Sequence, residues 1–119
     1  MYTYTFERLD VWQKSRTLVK AVYKLSKQFP KEEMFGLTNQ VRRAAVSVSS
    51  NIAEGNSRFS KKDKARFIEI AYGSLMEILS QLIVAQDLEY IEQHNLDKIK
   101  PLIYEINNKL IALRKSLLN

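Results

Sequence analysis

Residues 61–88 read KKDKARFIEIAYGSLMEILSQLIVAQDL. Phe67, Ile68, Ala71, Leu75, Ile78, Leu79, Leu82 and Ala85 return mostly every three or four residues, the spacing that stacks side chains on one face of an α-helix. Period-two alternation, the mark of a half-buried strand, is absent. Ser60 stands before the run and Asp63 three residues later, which predicts a capping box with Asp in place of the usual Glu. Gly73 falls mid-helix, where it costs about 1 kcal/mol relative to Ala, and is expected to mark a close helix crossing. This apolar face is the widest in the chain. A lone helix cannot cover it, so the remaining segments must.

Three further faces are present. Over residues 38–54, Leu37, Val41, Ala44, Val48 and Ile52 form a stripe, with Thr38 as the expected cap and Gly55 as the expected stop. This segment is crowded with Ala44, Ala45, Ser47, Ser49, Ser50 and Ala53, small residues that let another helix approach closely. A helix over residues 10–28 begins at an Asp10 cap and carries Trp12, Val19, Val22, Leu25 and Phe29, with Ser15 and Ser26 at the edge. Pro30 stops it by pushing its predecessor out of the α region. The last helix, residues 97–118, carries Ile99, Leu102, Ile103, Ile106, Leu110, Leu113 and Leu117, with Asn95 or Asp97 as cap. Pro101 lacks an N–H and suits only a first turn, so this helix must start late or bend early. Tyr2 to Phe6 alternates aromatic and Thr residues, which reads as an extended arm over residues 1–8. Four amphipathic helices with short connections pack antiparallel to their neighbours. The expected fold is all-α: one domain over residues 1–119, an antiparallel up-down-up-down, left-handed four-helix bundle.

Composition agrees with this reading. The 119 residues suit one domain, 45% are hydrophobic, and three Gly and two Pro allow only a few long elements. The lack of Cys excludes disulfides and thiolate metal sites. The opening MYTYTFERLD is unlike a signal peptide, and no apolar run is read as long enough to cross a bilayer. A cytoplasmic protein without membrane contact is expected. The formal charge is +6 and uneven: residues 1–66 hold 14 Lys/Arg against 6 Asp/Glu, and residues 67–119 hold 5 against 7. Such asymmetry means either solubility or a polyanionic partner.

Catalytic patterns are missing. There is no Gly-rich phosphate loop and no dinucleotide fingerprint. His94 is the single histidine and sits in a polar connector, read as solvated. Glu54, Glu69 and Glu77 lack the Glu-x-x-His partners of a di-iron bundle, which leaves surface ion pairing as their expected role. No serine has a histidine to activate it. A non-enzyme without cofactor or metal is expected.

Three stretches carry a resemblance: Leu9-Asp10-Val11-Trp12-Gln13-Lys14, residues 36–55 (GLTNQVRRAAVSVSSNIAEG) and residues 70–77 (IAYGSLME). Together they resemble the bacterial "four helix bundle protein" family, which includes the protein encoded in intervening sequences of 23S ribosomal RNA genes. The accessory variability determinant of diversity-generating retroelements is related to it. The resemblance covers roughly residues 6–92. It implies a bundle that assembles as a homo-oligomer, a homopentameric ring foremost. For the retroelement relatives it implies binding to nucleic acid and to a reverse transcriptase.

Two sets of residues follow. Arg16, Lys20, Lys24 and Lys27 share one face of the first helix, and Arg58, Lys61, Lys62, Lys64 and Arg66 cluster at the entry to the third. With Arg42, which is open between a structural role and a phosphate contact, they form the candidate RNA- or DNA-binding surface. The plainer reading of each patch is a solvated helix face. Of the aromatics near these cations, Tyr23 and Phe59, Phe59 is expected to pack. Arg43, Asn51, Glu54, Ser74 and Glu77 form a candidate polar network between the second and third helices. The competing functional class is a protein-interaction scaffold without nucleic acid. A metal- or ligand-binding bundle ranks third.

Overall fold

The computed structural model describes residues 1–119. Four helices follow in order: α1 (Asp10–Ser26), α2 (Leu37–Ser57), α3 (Lys61–Asp87) and α4 (Gln93–Leu118). Neighbours in sequence pack side by side and α4 closes against α1, so the four surround one core in up-down-up-down order. The physical basis is a 3.5-residue apolar repeat on every helix. On α1 the buried residues are Val11, Ser15, Leu18, Val22, Leu25 and Ser26, continued by Phe29. On α2 they include Thr38, Val41, Ala45, Val48, Ile52 and Gly55, and on α3 Ile68, Ala71, Leu75, Ile78, Leu82 and Ala85. On α4 they are Leu96, Ile99, Ile103, Ile106 and Leu110. Leu18, Ile52, Leu75, Ile78, Leu82, Ile106 and Leu110 are fully buried, each contributing roughly 1.5–3 kcal/mol of transfer free energy.

Several expectations are corrected. The α1 stripe is shifted by one residue: Val11 and Leu18 enter the core, whereas Trp12 and Val19 are half-buried at its edge. Ser15 and Ser26 occupy core positions because each hydroxyl donates back to a carbonyl three residues earlier, Trp12 O at 2.6 Å and Tyr23 O at 3.2 Å. Leu9, not Asp10, is the residue preceding α1. The arm is not wholly extended: Thr5–Arg8 is a 3₁₀ turn. A second 3₁₀ turn, Lys31–Glu33, leads into α2.

Thr38 does not cap α2. It is buried, and the capping acceptor comes from the preceding turn, where Glu33 Oε1 accepts the Leu37 N–H at 3.0 Å. Gly55 does not stop α2 either. The helix runs on to Ser57, and Gly55 lies where α2 meets α3: a Cβ there would stand 3.0 Å from Phe67 Cβ and 3.3 Å from the Lys64 carbonyl. Gly73, expected at a close crossing, is exposed with nothing within 4 Å of its would-be Cβ. The close helix approach therefore falls at Gly55, and Gly73 neither meets a neighbour nor ends a helix.

Ser60 caps α3, its Oγ accepting the Asp63 N–H at 3.1 Å, but the Asp63 carboxylate does not return the bond, so only half of the expected capping box forms. The helix ends in a Schellman arrangement: Tyr90 N–H donates to Ala85 O and Glu89 N–H to Gln86 O, both at 2.9 Å, with Glu89 at φ 64° where glycine is the usual residue. By length and composition α3 is apolar enough to cross a membrane, with a window of mean hydropathy 1.5, which corrects the reading that no run reaches that length. In the bundle its heptad face is packed against the other helices. Helix α4 starts four residues earlier than expected, with Glu92 as its cap and Asn95 Oδ1 accepting the Glu92 N–H at 2.9 Å. Pro101 therefore lies inside the helix. Pro101 has no N–H to offer the Asp97 carbonyl, and both residues lie on the exposed side of the helix.

Candidate nucleic-acid interface

Antiparallel alternation places the basic segments at different heights. Helix α1 climbs from Asp10, α2 descends, and the turn into α3 returns to the end where α1 began. Arg16, Lys20, Lys24 and Lys27 rise along the outer side of α1 over roughly 16 Å, at 1.5 Å per residue. All four are exposed. Arg16 is partly engaged, its guanidinium 5.0 Å from the Trp12 ring centre and donating to Gln13 Oε1 at 3.2 Å. Lys20, Lys24 and Lys27 have no carboxylate and no hydrogen-bond partner.

The second group sits at the α2–α3 turn. Arg58 lies 4.4 Å over the Phe67 ring and 3.9 Å from Glu54, and Arg66 lies 5.8 Å from the same ring. Lys64 donates to Asn56 O at 2.9 Å, holding the last turn of α2. Lys61 and Lys62 are exposed and unpaired. The two groups thus occupy separate surfaces. Arg42 belongs to neither: its Nε donates to Ser26 Oγ at 2.8 Å, a second nitrogen to Tyr23 O at 3.4 Å, and its guanidinium lies 4.8 Å from the Tyr23 ring. It ties α2 to the last turn of α1, with two of its five N–H donors engaged there.

The polar network forms only in part. Ser47 Oγ and Ser74 Oγ meet at 2.8 Å across α2 and α3, and Asn51 Nδ2 donates to Ser47 O at 2.8 Å and to Ser47 Oγ at 3.0 Å. Ser47, placed on this face from the sequence but left out of the predicted network, is the hub. Arg43 and Glu77 line the same shallow cleft of about 370 Å³ with Asn39 and Gln40, yet Glu77 accepts from Gln81 at 3.0 Å and Arg43 makes no hydrogen bond. Glu54 turns away to Arg58.

Ion pairs form at two other seams of the bundle. Lys109 Nζ is 2.7 Å from Asp10 and 3.7 Å from Glu105, which also lies 3.7 Å from Lys14, so these four bridge α1 and α4. The hydrogen bond between them holds the Asp10 carboxyl below its usual range and pushes the Lys109 ammonium above its own. Arg114 Nε donates to Glu69 at 2.8 Å between α3 and α4. Tyr90 OH donates to Glu33 at 2.8 Å. Two donors, the Leu37 N–H foremost, lower the Glu33 pKa, and Glu33 in turn raises that of Tyr90.

Phe59 is the residue the sequence misplaced. Expected to pack, it is fully exposed. The signal was there: it stands between Arg58 and Ser60 in a turn, outside the apolar stripe of either helix.

A model of the 23S rRNA-intervening sequence protein family matches residues 7–112. Among solved structures, the chain is similar to a protein of unknown function from the S23 ribosomal protein family of Bacteroides thetaiotaomicron. The TM-score is 0.81 and the identity 26%, over 88% of this chain and 98% of that one. No curated protein matches.

Proposed function

Because the chain belongs to the 23S rRNA-intervening sequence protein family, we propose that it is a non-enzymatic, oligomeric accessory protein that binds the backbone of RNA or DNA through basic helix surfaces. The observation that carries this reading is the row Lys20, Lys24 and Lys27 on α1, exposed and without partners, while Lys14 and Lys109 at the α1–α4 seam are held by carboxylates. An unpaired lysine meets a phosphate by releasing condensed counterions, whereas a paired one must first give up its partner. A homopentameric ring would repeat the row around an axis and multiply weak contacts into useful avidity. The protein works in the cytoplasm, and a reverse transcriptase is its protein partner where one is encoded beside it.

The test is fluorescence anisotropy with RNA and DNA at two salt concentrations. Binding should weaken steeply with salt, and Lys20→Gln/Lys24→Gln/Lys27→Gln should flatten the slope by about 0.7–0.9 per lost phosphate contact. Folded protein that binds neither polymer at low salt overturns the proposal.

A second reading, a protein-interaction scaffold, is favoured by one observation. The outer α3–α4 groove holds two open cavities of about 590 and 520 Å³, lined by Tyr72, Leu118, Met76, Leu79 and Tyr104 among others. Light scattering that finds only monomer would count against it and against the ring.

A further inference from the structure

The end of the bundle that holds the α2–α3 turn exposes aromatic rings among cations. Phe59 is wholly in solvent. Arg58 on one side of it is steadied by its contact with Phe67, and its contact with Glu54 is long, at 3.9 Å. Lys61 and Lys62 follow within three residues, exposed and unpaired. Residues 54–66 hold five Lys/Arg against two Asp/Glu.

The N-terminal segment comes to the same end, because Asn56 Nδ2 donates to Thr5 Oγ1 at 2.7 Å. That bond sets Tyr4 one residue, and Phe59 three residues, from a shared anchor point. The Tyr4 N–H donates to Glu7 Oε2 at 2.8 Å, which fixes the segment locally. The Tyr2 and Tyr4 rings are exposed and meet edge to face at 4.8 Å.

Exposed rings and free cations select a ligand that carries both π faces and negative charge. A duplex shows its phosphates and base edges but not its base faces, since its bases are stacked inside. A single strand offers both, and stacking on aromatic side chains accepts any base. We propose that this end of the bundle binds single-stranded RNA or DNA, with Phe59 and Tyr4 stacking unpaired bases and Arg58, Lys61 and Lys62 holding the adjoining phosphates. The proposal rests on the nucleic-acid reading above and names the form of polymer preferred.

The test titrates the full-length protein against labelled oligouridylate, oligothymidylate and a duplex of equal length. The wild type should bind the single strands more tightly. Phe59→Ala should weaken single-strand binding about tenfold, near what one stacked base contributes, with the salt slope and duplex affinity unchanged. Lys61→Gln/Lys62→Gln should weaken binding to both forms and flatten the salt slope. Phe59 touches no core residue, so the variant should unfold at the wild-type temperature. Wild-type single-strand affinity in Phe59→Ala, or equal affinity for strand and duplex, overturns this proposal while leaving backbone binding intact. Loss of all binding in the wild type overturns both. Binding to phosphatidylserine vesicles that needs Phe59, with no single-strand binding, also overturns it and makes the patch a membrane contact.

Discussion

Replacing Gly55 by Ala tests the helix contact on which the basic end is built. In an isolated helix the change is favourable, by up to about 1 kcal/mol. Gly55 is two residues from the end of α2, where that gain is reduced. Against it stands the added Cβ, 3.0 Å from Phe67 Cβ and 3.3 Å from the Lys64 carbonyl oxygen. Neither neighbour is the flexible tip of a side chain, so relief requires α2 and α3 to separate at this end. Overpacking of this kind costs roughly 1–3 kcal/mol. The net expectation is a loss of about 1–2 kcal/mol. Unfolding entropy near 2.1 cal/mol/K per residue makes each kcal/mol worth roughly 4 °C in a chain of this length, so Tm should fall by about 4–8 °C. Gly73→Ala is the control. Its Cβ meets nothing, so it should gain about 1 kcal/mol and roughly 4 °C from propensity alone. Thermal and urea unfolding followed by circular dichroism at one protein concentration reads both. Equal stabilisation by the two substitutions would refute the reasoning, because it would mean that α2 and α3 do not approach closely at Gly55. Displacing Phe67 should also loosen Arg58 and Arg66, so Gly55→Ala should weaken nucleic-acid binding while Gly73→Ala leaves it unchanged.

Other consequences follow from the packing. Pro101→Ala restores a donor for the Asp97 carbonyl inside α4 and should stabilise by about 1–2 kcal/mol, part of the roughly 3 kcal/mol an interior proline costs, visible as a higher urea midpoint. Arg42→Ala removes the donor to buried Ser26 and should cost about 1–2 kcal/mol, whereas Lys24→Ala should stay within about 0.5 kcal/mol. Calorimetry that finds both neutral would show that Arg42 is not tying α2 to α1. The Glu33 carboxyl has a lowered folded pKa, so its contribution is present above its ordinary value of 4.5 and is lost as pH falls through the folded value. The Tm of the wild type should therefore drop more between about pH 5 and about pH 3 than that of Glu33→Gln. Tyr90 is shifted the other way, so its share is present below 10.0 and lost as pH rises through its raised value. Tyr90→Phe should shrink the alkaline fall in Tm, and an unchanged alkaline limb would exclude this bond.

The helices were legible because their evidence is local. Apolar residues repeating every 3.5 positions identify a helix, and four such faces with short connectors leave few arrangements other than a bundle. The Ser60 cap was readable for the same reason, since donor and acceptor lie three residues apart. The α1 register was misread because Ser15 and Ser26 look polar in a list of residues. Only a hydroxyl already bonded to its own helix can enter the core without penalty, and that bond is a matter of geometry.

The candidate site was legible in its charges and not in their use. The sequence supplied the basic α1 face and the basic α3 entry, but not which cations were spent. Arg42 became a strut to α1 and Lys64 a cap for α2, while Arg58 and Arg66 rest against Phe67 and stay exposed. The five-member network shrank to Asn51 and Ser74 joined through Ser47.

What this sequence determined alone is the class of fold, one helical domain with a basic first half, because periodicity and composition are properties of the chain itself. What only the tertiary structure decided is which glycine meets a neighbouring helix, which lysines remain unpaired and that Phe59 faces water. Each of these depends on atoms far apart in sequence, and their distances exist only once the helices have packed.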